Sequence, residues 1–471
     1  MKRNLFLSTV GVLSGRLTMP LFSFILFYVT ARKLTVGEFG LYVLLTGLIT
    51  LFQGIAGLGL GPLLSREIGK QPADEGVAVG SAVAITLPAS AAAYALFLAL
   101  AYLLKGDGDF LRLAAIIGLS LPLSSLVSVA ESVFMARGAG SNLLYLGLVE
   151  QIARVALSIF ALFQGYGLYG LTAAYVASRV LGVLYSARLY ARAEARPPLR
   201  LDSGHIRQTC SYLKSFAPIM IVGLILYRAD VLTLGWFLTD EEMGLYGCAI
   251  RIANLSFIGP DSVVAAALPD VSRRWTQGEP SFGKSMVAST EFLLAASLAG
   301  VVLMAAFAPV AVPLVFGAKF AGAAPLLAVV AFMLPSHALE IQAANLFQAI
   351  GRERTALFLM LVSLPVFFGL LSLGAAAGGM LGASFGFVAA SWIMGIVGLR
   401  KLPETALDRP ASARLVWAIR LTAAALFLLA LWRPESAALH CLLLAAAALT
   451  ALCGSGIFDT LDIRRVRSIL S

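Results

Sequence analysis

The sequence predicts an all-α polytopic membrane protein of about 14 transmembrane helices: two six-helix lobes, parallel repeats around a central cavity, plus two extra C-terminal helices. Three observations predict it. Of 471 residues, 59% are hydrophobic and only 13% charged, whereas a water-soluble surface needs roughly 25% charged residues. Apolar runs of about 20 residues, enough to cross a bilayer as a helix, recur along nearly the whole chain. Finally, LTVGEFGLY (34–42) returns as LTDEEMGLY (238–246), with six of nine residues identical.

The helical class follows from solvation. Lipid offers no hydrogen bonds, so each apolar run must satisfy its own amides. The runs place spans at 5–29, 39–63, 78–104, 110–136, 142–164, 168–190, 215–238, 244–268, 287–309, 324–349, 354–376, 379–401, 414–432 and 436–455. The basic start MKRNLFL could introduce a signal peptide, but Arg16 interrupts the run and no small-residue cleavage site follows. It reads as an uncleaved first span. Counting Lys and Arg on alternate sides puts 23 with the N-terminus, 6 opposite and 6 inside spans. That asymmetry places both termini in the cytoplasm and explains the net charge of +10 without nucleic acid.

The repeat sets the domain organisation. LTVGEFGLY joins spans 1 and 2; LTDEEMGLY joins spans 7 and 8. PLLSR (62–66) is answered by PDVSR (269–273), and VFMARG (133–138) by LFQAIG (346–351). Three junctions in one order indicate a duplicated six-helix unit. The expected division is an N-lobe (1–190), a cytoplasmic linker (191–214), a C-lobe (215–402) and a C-terminal part (403–471). The linker is rich in Arg, contains Pro197-Pro198, and carries Ile206, Cys210 and Leu213 on one helical face, as an interfacial helix would. Gly11/Gly15 and Gly382/Gly386 suit close helix contact. GLGLG (57–61) follows no strand and is not read as a nucleotide-binding turn.

No cofactor or metal is expected. The four cysteines form no CxxC pair and the three histidines are scattered. Charges inside spans carry more information, because a buried Arg costs about 2.5–3.5 kcal/mol on insertion scales. Arg16, Arg154, Arg179, Arg228 and Arg251 suit a cationic cavity that holds a phosphate or pyrophosphate, since a guanidinium grips oxygens bidentately. Glu150 and Arg154, spaced i,i+4, are expected to pair. Asp230, Asp261, His337, Glu340 and Asn345 are candidates for ion coupling or sugar contact, with a helix-packing network as the alternative.

EFGLY (38–42), YRADVLTLGWFLTDEEMGLYGCAIRI (227–252), ALPDVSRRW (267–275), VFGAKFAGAAPLL (315–327) and NLFQAIGR (345–352) together resemble the polysaccharide transporter family. These are the O-antigen and exopolysaccharide flippases of the multidrug/oligosaccharidyl-lipid/polysaccharide exporter superfamily. The resemblance covers about residues 1–400. It implies two lobes facing a central cavity, and movement of an undecaprenyl-pyrophosphate-linked oligosaccharide by alternating access. The implied partners are that lipid-linked oligosaccharide, membrane lipids, and the polymerase and glycosyltransferases of the pathway. The two extra helices also occur in lipid II flippases, although those concentrate cavity arginines in the first lobe. A drug/cation antiporter of the superfamily would prefer an acid-lined cavity. A membrane enzyme would need a catalytic outer loop, and the longest expected one (310–323) holds one Lys and no His, Asp or Glu.

Overall fold

The computed structural model describes residues 22–192, 199–408, 413–431 and 436–454, and every regular element among them is helical. Helix α1 covers residues 22–33. The next elements are α2 (Val36–Gly57), α3 (Leu60–Lys70), α4 (Glu75–Lys105), α5 (Gly108–Gly118), α6 (Ser120–Ala136), α7 (Gly140–Phe163) and α8 (Gly167–Arg192). They are followed by α9 (Ser203–Tyr227), α10 (Ala229–Phe237), α11 (Asp240–Thr276), α12 (Phe282–Phe316), α13 (Ala324–Val330) and α14 (Met333–Ala349). The long α15 (Glu353–Lys401), α16 (Ala413–Leu431) and α17 (Ala437–Gly454) complete the chain. Eight described stretches are long and apolar enough to cross a membrane, and two bent pairs raise the number to ten. Where described, each expected span coincides with a helix or a broken pair of helices. The protein is an all-α polytopic membrane protein.

The repeated phrases form the same local structure. Thr35 and Thr239 each stand in extended backbone as the N-cap of α2 and α11. The Glu38 and Glu242 carboxylates accept the cap N–H at 2.8 and 3.0 Å, while each threonine hydroxyl accepts from the glutamate N–H. This reciprocal capping box satisfies two orphan donors at a helix start, and a Thr cap contributes about 1 kcal/mol. Because the threonine is the cap, both helices begin three or four residues before the expected starts at 39 and 244. Tyr42 and Tyr246 lie buried on the first turns behind these caps.

Likeness continues beyond the caps. Helices α6 and α14 have the same length, each follows a broken helix, and each is followed by a glycine at positive φ, Gly138 (67°) and Gly351 (72°). The α13–α14 bend, with its preceding 3-10 turn, is 41°. Gly167 and Gly379, also at positive φ, open GLYGLTAAYV and GMLGASFGFV. The second of these lies inside α15, whose residues Gly378 and Gly379 leave helical geometry, so two arms fold back on each other. The GLGLG segment is a helix break, with Leu58 and Gly59 both left-handed between α2 and α3.

Contacts divide the chain into two compact units, Met1–Leu232 and Thr233–Ser471. In the first, Leu60, Leu64 and Ile68 of α3 pack with Ala78, Val79 and Ala82 of α4, and with Val129 and Val133 of α6. Leu213 of α9 joins that core. The linker face carrying Ile206, Cys210 and Leu213 is thus helical, in an α9 whose Asp202 cap accepts the Gly204 N–H at 2.8 Å. Glu75 of α4 takes a bidentate hydrogen bond from Arg137, just past α6. The second unit packs α11, α12 and α14 around Val264, Leu293 and Ala338.

Gly382 and Gly386 meet the other arm of α15 at close range. A Cβ on Gly382 would overlap the Gly374 carbonyl, and one on Gly386 the Leu370 carbonyl. Here the expected close helix contact is present, whereas Gly11 and Gly15 lie outside the described residues. Gly382→Val should cost about 1–3 kcal/mol through overpacking. Gly369→Val, at an open position, should leave the melting temperature in detergent unchanged; equal temperatures for both variants would contradict the contact.

Candidate substrate site

Four helices of the first unit converge on one buried tyrosine. Tyr175 of α8 is 6% exposed. Gln53 of α2 donates through Nε2 to the Tyr175 hydroxyl and to Ser124 Oγ of α6, both at 3.0 Å. The Arg154 guanidinium of α7 lies 4.4 Å from the ring centroid, and that of Arg179, one turn along α8, lies 5.9 Å away. An aromatic face attracts a cation electrostatically, by about 2 kcal/mol or more when desolvated. Two cations thus share one ring whose hydroxyl is anchored from behind.

The acids complete the cluster. Arg179 Nη1 donates to Glu150 Oε2 at 2.7 Å, with 17% and 8% of the two side chains exposed. Glu150 is therefore paired across the α7–α8 interface, rather than with Arg154 one turn along α7. The i,i+4 spacing puts Glu150 and Arg154 on one face, but tertiary packing supplies Arg179 at hydrogen-bonding distance and Tyr175 as the seat for Arg154. Gly182, the next turn of α8, leaves the room: a Cβ there would overlap the Glu150 carboxylate. Glu131 of α6 is electrostatically coupled to Glu150 and Arg179.

The cluster retains unused hydrogen-bonding capacity. Arg154 Nε, Arg179 Nε and Glu150 Oε1 are buried and have no hydrogen-bond partner among the described residues. Glu150 pairs with Arg179 and leaves Arg154 on Tyr175 without a carboxylate ion pair among the described residues; the unfilled N–H donors suit an oxyanion.

The remaining sequence candidates fall elsewhere. Arg16 lies outside the described residues. Arg228 sits at the break between α9 and α10, its guanidinium 4.9 Å from the Tyr227 ring centroid and its Nε buried. Asp230 is buried on α10. Arg251 is half-buried on α11 of the second unit. In that unit His337 Nε2 lies 2.7 Å from Asp261 Oδ1, Glu340 accepts from Ser391 at 2.8 Å, and Asn345 donates to the Val264 carbonyl at 2.9 Å. Asn345 thereby ties α14 to α11.

Sequence reasoning passed over Gln53, Ser124, Tyr175 and Gly182. Polar Gln53 within the apolar run LITLFQGIAG was the available signal. Tyr175, four residues before Arg179, was the second.

A family model described as "Polysaccharide biosynthesis protein" matches residues 29–325. No curated protein sequence matches significantly. Among solved structures, the lipid II flippase MurJ in an inward closed conformation superposes with a TM-score of 0.70 at 13% identity, covering 98% of this chain and 100% of that one. An inward-facing multidrug resistance MATE family transporter of the MOP superfamily gives 0.66 at 16% identity, over 82% and 96%. A MOP superfamily transporter from Pyrococcus furiosus, described as having a binding pocket of reverse polarity, gives 0.57 at 16%, over 83% and 92%. At these identities the likeness establishes the fold.

Arg179→Ala strands a buried carboxylate and should destabilise the protein by about 3–5 kcal/mol. Adding Glu150→Gln should recover much of that loss. Thermal unfolding of the two single variants and the double variant in detergent measures the coupling; additive effects would show that the pair contributes nothing to stability.

Proposed function

The chain belongs to the polysaccharide biosynthesis protein family, and from that membership we propose that it flips an undecaprenyl-pyrophosphate-linked oligosaccharide across the bacterial inner membrane by alternating access. The observation that carries the reading is the pair of guanidiniums on Tyr175, with unfilled N–H donors inside a membrane-spanning unit. A pyrophosphate cannot cross hydrocarbon bare, for the reason that no ion can. Arginine remains charged at any relevant pH and holds two oxygens at once. Arg154, backed by Tyr175, would engage the pyrophosphate first; Arg179 would exchange Glu150 for a substrate oxygen. Arg16, Arg228 and Arg251 extend the proposal as further contacts along the substrate's route.

The excess of Lys and Arg on the side of the termini supports a cytoplasmic placement of both. In such a pathway the substrate comes from glycosyltransferases on that side and passes to a polymerase on the other. A second reading, a flippase for the peptidoglycan precursor lipid II, is favoured by one observation. The MurJ structure covers 98% of the chain, which takes in α16 and α17. A drug/cation antiporter fits less well, since the two guanidiniums on Tyr175 would repel its substrate.

Translocation of fluorescent undecaprenyl-pyrophosphoryl oligosaccharide in proteoliposomes tests the reading, with lipid II as the parallel substrate. Losing one charge-assisted contact of about 1.5–3 kcal/mol should slow flipping roughly 10- to 100-fold in Arg154→Ala, and less in Arg154→Lys. A well-folded Arg154→Ala that flips at the full rate would overturn the role of the cluster.

A further inference from the structure

We propose that the second unit contains a proton-binding site, built from His337, Asp261 and Glu340, in which His337 stands where the first unit carries Ser124. The equivalence is read from the repeat. The register that aligns Leu34 with Leu238 aligns Gln53 with Phe257, and that aligning Val133 with Leu346 aligns Ser124 with His337. Gln53 and Ser124 are hydrogen-bonded in the first unit; Phe257 and His337 are stacked in the second, with centroids 4.5 Å apart. The register aligning Gly167 with Gly379 puts Ser391 where Arg179 stands. Ser391 donates to Glu340 at 2.8 Å and accepts from Ser336 at 2.8 Å. His337 and Ser391 thus stand at repeat positions that hold cluster residues in the first unit, whereas Asp261 and Glu340 correspond there to Gly57 and Val127.

The difference is proton exchange. An Arg–Glu pair keeps its charges across the whole physiological range, whereas an imidazole changes charge within it. His337 Nε2 is 2.7 Å from Asp261, and Glu340 follows one turn along α14. Two carboxylates around one imidazole titrate as a coupled set. The set reaches neutrality with two protons distributed over its three groups, and loss of one leaves a net negative charge. The His337 and Asp261 side chains are 27% and 47% exposed, while Glu340 is hydrogen-bonded to Ser391.

The neighbouring elements contribute few competing charges. On α12 the ionisable residue nearest in sequence to Leu293, which packs against Ala338, is Glu291, two residues away and so about 200° around the helix. On α11, Arg251 is ten residues from Asp261, about 15 Å along the helix axis. On α15, Arg400 and Lys401 are nine and ten residues from Ser391, and Glu353 and Arg354 stand at the far end of the other arm. None of these forms the short contact with His337 that Asp261 does.

That the proton serves transport rests on the flippase reading; that it binds does not. The chain has three histidines, His205, His337 and His440, so full-length protein labelled with 13C-histidine gives three ring signals. His337→Gln identifies the relevant one. The His337 signal should titrate between pH 5 and 9. Asp261→Asn should change its response to pH, since the imidazole loses its partner at 2.7 Å. Glu340→Gln, which removes no direct contact with the ring, should change it less. A His337 signal that stays in one state across that range overturns the proposal, as does a midpoint unmoved in both variants. The wild-type titration needs no substitution, so a variant that fails to fold does not end the test. Arginine variants that flip at the full rate would remove the substrate reading and leave this titration standing.

Discussion

A guanidinium in the middle of an apolar helix must find its partners inside the protein, and the first unit is organised around that requirement. Hydrocarbon offers no hydrogen bonds at that depth, so each unsatisfied charge or donor exposed to it carries its full desolvation cost. Arg179 meets this with Glu150 from the neighbouring helix, and Arg154 with the face of Tyr175. Gln53 fixes the tyrosine hydroxyl and reaches Ser124. One network thus links α2, α6, α7 and α8, and a single glycine, Gly182, keeps the Glu150 seat open. A substrate oxyanion would enter a site that already tolerates negative charge beside its arginines, because Glu150 occupies part of it.

The two copies keep the framework and exchange its contents. Capping boxes, broken helices and positive-φ glycines recur at matching positions. These depend on backbone hydrogen bonding and close packing, which tolerate few residue types. Polar positions facing the interior of each unit are freer, provided that whatever occupies them is satisfied. So Ser124 becomes His337, Gln53 becomes Phe257 and Arg179 becomes Ser391, each held by a different partner. A duplicated scaffold can in this way carry two unlike sites without disturbing either fold.

Much of the architecture was legible from residue order. Runs of apolar residues marked the spans because hydrocarbon permits only self-satisfied helices. The repeated phrase marked two helix junctions, though the starts expected at 39 and 244 fell three or four residues late, because Thr35 and Thr239 occupy the cap position. The arginines stood out because they are costly where they lie. Their partners did not. The i,i+4 rule favoured Glu150 with Arg154, but a neighbouring helix offered better geometry at Arg179. Tyr175 and Gln53 were passed over, since a ring's value to a cation depends on what lies over its face.

By itself, then, the sequence determined the class of solvent, the helical fold, the repeated junctions, and which charges demand an explanation. These follow from local composition and from repeats, which a linear chain records directly. Tertiary structure alone decided which charges meet. The distance from Glu150 to Arg179 spans 29 residues, that from Gln53 to Tyr175 spans 122, and that from Asp261 to His337 spans 76. Pairings at such separations depend on how helices rotate and pack, and a shift of one residue in a helix turns a side chain by about 100°.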